Sequence, residues 1–385
     1  MSDNVTKVRF DRTDGKRIRV FWIVLVLVIL IVGLILFAEQ LNLDALGRRI
    51  TYGLSGRGED YGVFTFDAHS SNRFAAYGDG LAVASAGGLK AMDADGRTDQ
   101  SVACSLANPA VCAGGDVTVC YDLGGGSLTA VRRHGGTVLE YETEGGIFDA
   151  DVASDGAIAV SAAESGYKTV LRVYDGGQKE IYRWFSSSRF LPVCAVSRGG
   201  DWLAAVSLGE DGGEFAASLL VFRTGDQDVY RTVDLGDQLV YDAAFSENGR
   251  ICLVCEDAMR TFTVDGREEG AMELSGRALT DYDLSGDGFS VAAVSPMQAG
   301  SLSTVITFDR SGQELGSAEL DEEVLDVSAA GKYAAVLTGQ ALTIYRRDMT
   351  EYCRMDNNIL ATRVLQHADG TAILIAGNSG RLLIP

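Results

Sequence analysis

Eight Gly-containing turns, ending at Gly80, Gly115, Gly156, Gly200, Gly249, Gly288, Gly331 and Gly370, each lead directly into a short apolar run. The runs read LAVAS, VTVCY, AIAVS, WLAAVS, ICLVC, FSVAAV, YAAVL and TAILIA, and the turns recur every 35 to 49 residues. A period near 41 residues built only from strands is the pattern of a β-propeller, whose blades each hold four antiparallel strands. No single repeat can bury its apolar face alone, so the repeats commit nearly all of the chain to one ring. The expected fold is all-β, with the propeller over residues 61–385.

Each repeat reads as an inner strand, the Gly turn, a second strand, a third strand such as LRVYD, VITFD or LTIYR, a turn such as Asp95-Gly96 or Asp265-Gly266, and a polar outer strand. With 46 Gly against 4 Pro, the turns rest on positive-φ geometry rather than on Pro. The alternation in the third strands predicts one face turned into the blade stack. The eighth repeat stops after its third strand, whereas GVFTFD at residues 62–67 is a strand with no repeat of its own. Pairing the two predicts eight blades, closed by the N-terminal strand with no free edge at the join. Seven blades result if the repeat beginning ANPAVCAGG is not scored.

Ahead of the repeats, residues 20–38 read VFWIVLVLVILIVGLILFA without a charge. As a helix this rises about 28 Å, close to the hydrocarbon thickness of a bilayer. The run is longer than a signal-peptide core, and LILFAEQ is a poor cleavage site, so an uncleaved transmembrane helix is expected. Lys7, Arg9, Arg12, Lys16, Arg17 and Arg19 precede it, and only Arg48, Arg49 and Arg57 follow within twenty residues. The positive-inside rule therefore predicts a cytoplasmic tail at 1–19 and a single-pass cell-membrane protein with its propeller outside the cytoplasm. Residues 39–60 are expected to form a juxtamembrane helix on Leu43, Leu46 and Ile50, then a linker.

Residues 39–385 carry 27 basic and 50 acidic side chains. Such a domain is repelled by phosphate backbones, which argues against nucleic acid as a partner. The seven cysteines lie mostly among apolar strand residues and suggest no disulfide framework. Cys252 and Cys255 form a CxxC, but on a strand an offset of three sends their side chains to opposite faces, which is unsuited to a redox or zinc pair. His69, His134 and His367 fall in separate repeats, and no G-x-S-x-G elbow, P-loop or HExxH is present. Neither a catalytic constellation nor a metal or other cofactor is predicted.

Two sets of residues recur at equivalent positions. Asp149, Asp242, Asp281 and Asp326 take the third place of inner strands reading IFD, VYD, LTD and VLD, and rotational repetition puts them at one height near the channel mouth. They serve either as acceptors for neighbouring backbone or as a cation site. Arg73, Arg189 and Arg277 stand at the start of inner strands in SNRF, SSRF and SGRA. They read either as an anion-binding set or as locally paired surface charges. The connections AAESGYK, LGEDGGEFAAS and SPMQAGSLS are long and share a face with these arginines, which marks that face for binding.

The turns MDADGR and FDRSGQ give residues 61–385 a pattern that resembles WD40 and quinoprotein-like propellers. The GH and WD dipeptides of the former are missing, and the Trp of the latter survives only near Trp184, which argues against a bound quinone. The anchor together with ANPAVCAGG, ESGYK, LTDYDLSGDGF and VLDVSAAGKYAAVLT resembles an uncharacterised family, common in Clostridia-type organisms, of single-pass proteins with an exported propeller. The resemblance implies that fold and placement, and no activity. The function expected is a membrane-anchored platform that binds an envelope protein or cell-wall component. An ion-dependent sensor or enzyme at the channel mouth, and a glycan-binding module, are the alternatives.

Overall fold

The computed structural model describes residues 60–385, apart from 247 and 297–301, together with Trp22, Val24, Leu25, Val28, Gly47 and Arg48, which are helical. The expected tail, membrane helix, juxtamembrane helix and linker lie otherwise outside the described residues. Among those described, no helix is long and apolar enough to cross a membrane. Residues 55–385 form a compact unit of their own.

That unit contains eight separate four-stranded antiparallel sheets. Blades 1 to 7 each use four consecutive strands and cover 73–103, 109–142, 147–186, 190–236, 240–273, 277–320 and 324–356. The eighth joins Arg363–Gln366, Ala372–Ala376 and Ser379–Leu383 to Asp60–Thr65, whose residues pair antiparallel with the last strand. Eight blades therefore replace the alternative count of seven. Every Gly turn of the repeat connects an inner strand to a second strand. In blade 3, Gly156 sits at φ +83°, and its N–H closes the turn onto the Ala153 carbonyl at 2.8 Å. A side chain there would be strained by the left-handed backbone.

Second strands are continuously apolar because a blade lies against each of their two faces. Ile251–Cys255 and Tyr333–Thr338 are buried at every position. The third strands depart from the expected alternation: Ala341–Arg346 is buried except at its last residue, and Thr343, Thr261 and Thr307 are enclosed although polar. Both faces of these strands meet neighbouring blades. Thr307 meets the cost of burial by donating its hydroxyl to the Arg347 carbonyl at 2.6 Å. One apolar cluster joins Leu171 and Val173 of blade 3 to Leu203, Leu220 and Phe222 of blade 4, and the next joins Val206 and Val221 to Ile251, Leu253 and Phe262 of blade 5. At about 1.5–3 kcal/mol for each large side chain removed from water, these inter-blade layers hold the ring.

Inner strands run from an upper end, where each blade begins, to a lower end at the Gly turn. The second-to-third connections share the upper end. Two of the three connections expected to be long loops are strand instead. In blade 3, Glu164 pairs Tyr167 around Ser165-Gly166; in blade 4, Trp202–Asp211 and Glu214–Arg223 pair to the tip around Gly212-Gly213. Those two glycines, at φ +63° and +92°, supply the positive φ of the mirror-image turns that match strand twist. The third connection includes 297–301 and lies largely outside the described residues.

Candidate functional site

The four repeated aspartates sit just after a β-bulge in every case: the pairing register shifts between Ile147 and Asp149, Val240 and Asp242, Leu279 and Asp281, and Val324 and Asp326. The extra residue turns each carboxylate sideways toward an adjacent blade. Asp149 accepts from the Cys194 N–H of blade 4 at 2.8 Å, from its neighbour Ala150 at 2.8 Å and from the Tyr121 hydroxyl of blade 2 at 3.3 Å. Asp281 accepts from Val327 N–H of blade 7 at 2.7 Å, and Asp326 from Val364 N–H of blade 8 at 2.6 Å. Asp242 differs: it takes the Ala243 N–H at 2.8 Å and the Tyr282 hydroxyl of blade 6 at 3.2 Å.

A second row escaped the sequence reading. Asp151 accepts from Val196 N–H at 2.8 Å, Asp283 from Ala329 N–H at 2.8 Å, and the Ser328 hydroxyl from Gln366 N–H at 3.1 Å. The signal was present as D-x-D and D-x-S two residues apart, the spacing that puts side chains on one face of a strand. Blade 4 has Val193 and Ala195 in these places and packs them on Val240 and Ala243 instead.

Burial pushes these carboxylates up from their ordinary values. Asp149 rises to about 7, with Asp242 and Asp151 adding like charge against the opposing Cys194 N–H, and Asp151, Asp242 and Asp326 rise to about 6. Asp281 and Asp283 are raised for the same reason.

The three arginines are not brought together, since they belong to blades 1, 4 and 6. Arg73 donates to the Asn72 carbonyl at 3.1 Å, Arg189 to the Ser207 hydroxyl at 3.4 Å, and Arg277 to the Leu274 carbonyl at 2.9 Å. None is ion-paired with another described residue, so local acidic pairing does not describe them.

What the upper end does gather is apolar surface. Among the described residues of the propeller, all exposed large apolar side chains but Val63, Ile181 and Leu315 lie there. Phe190, 48% exposed, has the Phe148 ring 6.1 Å away edge-on and the Lys168 ammonium 5.0 Å over its face. Tyr167 and Phe185 pair beside them at 4.7 Å. Tyr241, the bulge residue of blade 5, is 50% exposed and borders a cleft of about 650 Å³ that also takes in Glu256, Asp257, Glu273, Arg277, Asp281 and Tyr282. Of the seven sequence candidates, Arg277 and Asp281 share this cleft. The aromatics escaped because an isolated Phe or Tyr near a strand end reads as core; only the ring geometry shows which of them face outward.

The DUF5711 family, a family of unknown function, matches residues 63–378. The chain belongs to that family. No curated protein matches it. Among solved structures, BamB from Moraxella catarrhalis superposes on this DUF5711 chain with a TM-score of 0.51 at 13% identity, covering 85% of this chain and 97% of that one. The RRP9 WD40 repeats give 0.49 at 9% identity, covering 85% and 99%. The BamB likeness is one of fold.

The chemistry available to the DUF5711 propeller is limited by how its polar groups are engaged. Among the described residues, no three His, Cys, Asp or Glu side chains are placed to hold one metal ion. His69 bonds the Ser71 hydroxyl at 2.6 Å, His134 bonds Asp99 at 3.0 Å and His367 bonds the Thr371 hydroxyl at 3.1 Å. No disulfide joins any of the seven cysteines. Cys252 lies 3.8 Å from Thr261 and 3.6 Å from Arg310 of blade 6, whereas Cys255 packs in the cluster shared with blade 4, so the CxxC does point to opposite faces.

Proposed function

We propose that this DUF5711 protein is a membrane-tethered platform that docks an envelope protein or cell-wall component on the upper face of a propeller held outside the cytoplasm. The observation that carries the reading is the concentration of solvent-facing aromatic side chains at one end of the ring. Apolar surface gathered this way is characteristic of interaction sites, because leaving it wet costs free energy that docking recovers. Rigid rings such as Phe190, Tyr167 and Tyr241 bury large areas with few torsions to immobilise. The tether rests on residues 20–38 and their flanking charge; Trp22, Val24 and Val28 within that run are helical and exposed. The strand Asp60–Thr65 then serves both as the lead-in from the tether and as the strand that closes the ring.

The rival reading, an ion sensor or enzyme at the channel mouth, has less support. Asp149, Asp242, Asp281 and Asp326 already accept backbone and hydroxyl donors, which leaves them few lone pairs for a cation or substrate. The platform reading is tested in cells with a Phe185→Ser, Phe190→Ser and Tyr241→Ser triple variant. It should fold with an unchanged melting transition yet behave as a deletion of the protein. A fully functional triple variant would remove the upper face from consideration. Membrane-impermeant labelling of single cysteines placed at Ser2 and at exposed Ser275 should reach only the latter; labelling of Ser2 alone would reverse the topology.

A further inference from the structure

The platform reading leaves the chemistry of the partner open, and the upper surface of blades 4 to 6 constrains it. Leu239 and Tyr241, two residues apart, are exposed at the start of blade 5, 37% and 50% open to solvent. The cleft that Tyr241 lines takes in residues 274–282 toward blade 6 and Glu256, Asp257 and Glu273 on its blade 5 side. At the same upper end of the ring the blade 4 hairpin carries exposed Glu210, Glu214 and Phe215. Among the described residues, Glu210, Glu214, Glu256 and Glu273 have no ion-pair partner. The one base in the cleft, Arg277, is turned onto the Leu274 carbonyl at 2.9 Å. The surface therefore offers apolar side chains next to the carboxylates of Glu256 and Glu273, which form no ion pair among the described residues, although Arg260, paired with Asp257, is within electrostatic reach of Glu273.

We propose, on the basis of the platform reading, that this cleft receives a protein segment in which apolar side chains alternate with Lys or Arg. The apolar residues cover Leu239 and Tyr241, while the cations meet Glu256 and Glu273 in charge-assisted hydrogen bonds and stack on the Tyr241 ring. Complementary charge fixes the partner class: residues 39–385 carry 27 basic and 50 acidic side chains, so the whole field draws cations and repels anionic polymers and lipid head groups. Arg277 adds selectivity, since it confines cationic groups to the blade 5 side of the cleft.

The test uses the full-length chain and two short fluorescent peptides of equal Leu content, one carrying Lys and the other Glu, read by anisotropy. The Lys peptide should bind, with affinity falling as salt rises, and the Glu peptide should not. Tyr241→Ser should weaken the Lys peptide about tenfold, as expected for loss of an interface aromatic. A Glu256→Gln, Glu273→Gln variant should weaken it and flatten the salt dependence. Glu351→Gln, Asp95→Asn removes the same formal charge from the lower end and should leave binding unchanged. Equal loss in that lower-end variant, or equal binding of the two peptides, would overturn the cationic-segment proposal. If the aromatic triple variant still abolished function in cells, the platform reading would stand without it.

Discussion

Asp326 holds two donors from the next blade, the Val364 N–H at 2.6 Å and the Arg363 guanidinium at 2.6 Å, and so ties blade 7 to blade 8 through one side chain. Truncation strands a buried N–H, and an unsatisfied donor costs about 1–3 kcal/mol. Asp326→Ala should lower stability by that amount in urea denaturation, and Asp326→Asn, which keeps an acceptor oxygen, by less. The same aspartates make the ring sensitive to pH in a definite direction. Burial raises Asp149 to about 7 and Asp151, Asp242 and Asp326 to about 6, so the folded ring holds protons that the unfolded chain, with carboxyl values near 3.9, has released. Stability should therefore rise as pH falls from about 7 toward about 4 and decline again as pH is raised. Below that window Asp99, held down to about 2 chiefly by the Tyr77 hydroxyl, works in the opposite sense. Melting temperatures across the window check this, and Asp149→Asn should flatten the slope; a transition that strengthens steadily from pH 4 to 7 would contradict it.

Blade packing sets the next scale. Gly270 in the outer strand of blade 5 lies under the turn of blade 6, where an added Cβ would stand 1.6 Å from the Ser311 carbonyl oxygen. Gly270→Ala should cost about 1–3 kcal/mol as two blades are forced apart, whereas Gly209→Ala, with open space around it, should cost little. Phe64 of the first strand is fully buried in blade 8, and Phe64→Ala should cost about 3–5 kcal/mol, read as a shift in denaturation midpoint. Much at this scale was legible in the sequence, because Gly turns and apolar runs are local signals repeated eight times. The paired hairpins at Ser165-Gly166 and Gly212-Gly213 were misjudged as loops because polar residues in a strand that projects beyond its sheet carry no alternation to read. The aspartates were found by register, but their donors, such as Cys194 and Val327, lie some 45 residues away and belong to packing rather than to pattern.

Over the whole molecule, the two ends of the ring differ in kind. The lower end carries ion pairs within and between its turns, Arg97 with Asp95 at 2.7 Å and Arg133 with Asp79. The upper end also pairs Arg363 with Asp326 and Arg260 with Asp257, but it adds exposed rings and, at Glu256 and Glu273, acids with no ion-pair partner among the described residues. That polarity is the basis for assigning binding to one face, and it can be read directly by placing a photo-crosslinking amino acid at Phe190 or Tyr241 on the upper end and at Ile181 or Leu315 on the lower, in living cells. The upper positions should yield the same discrete adduct, and the lower ones none. Adducts confined to Ile181 and Leu315, or none from any position, would contradict the assignment.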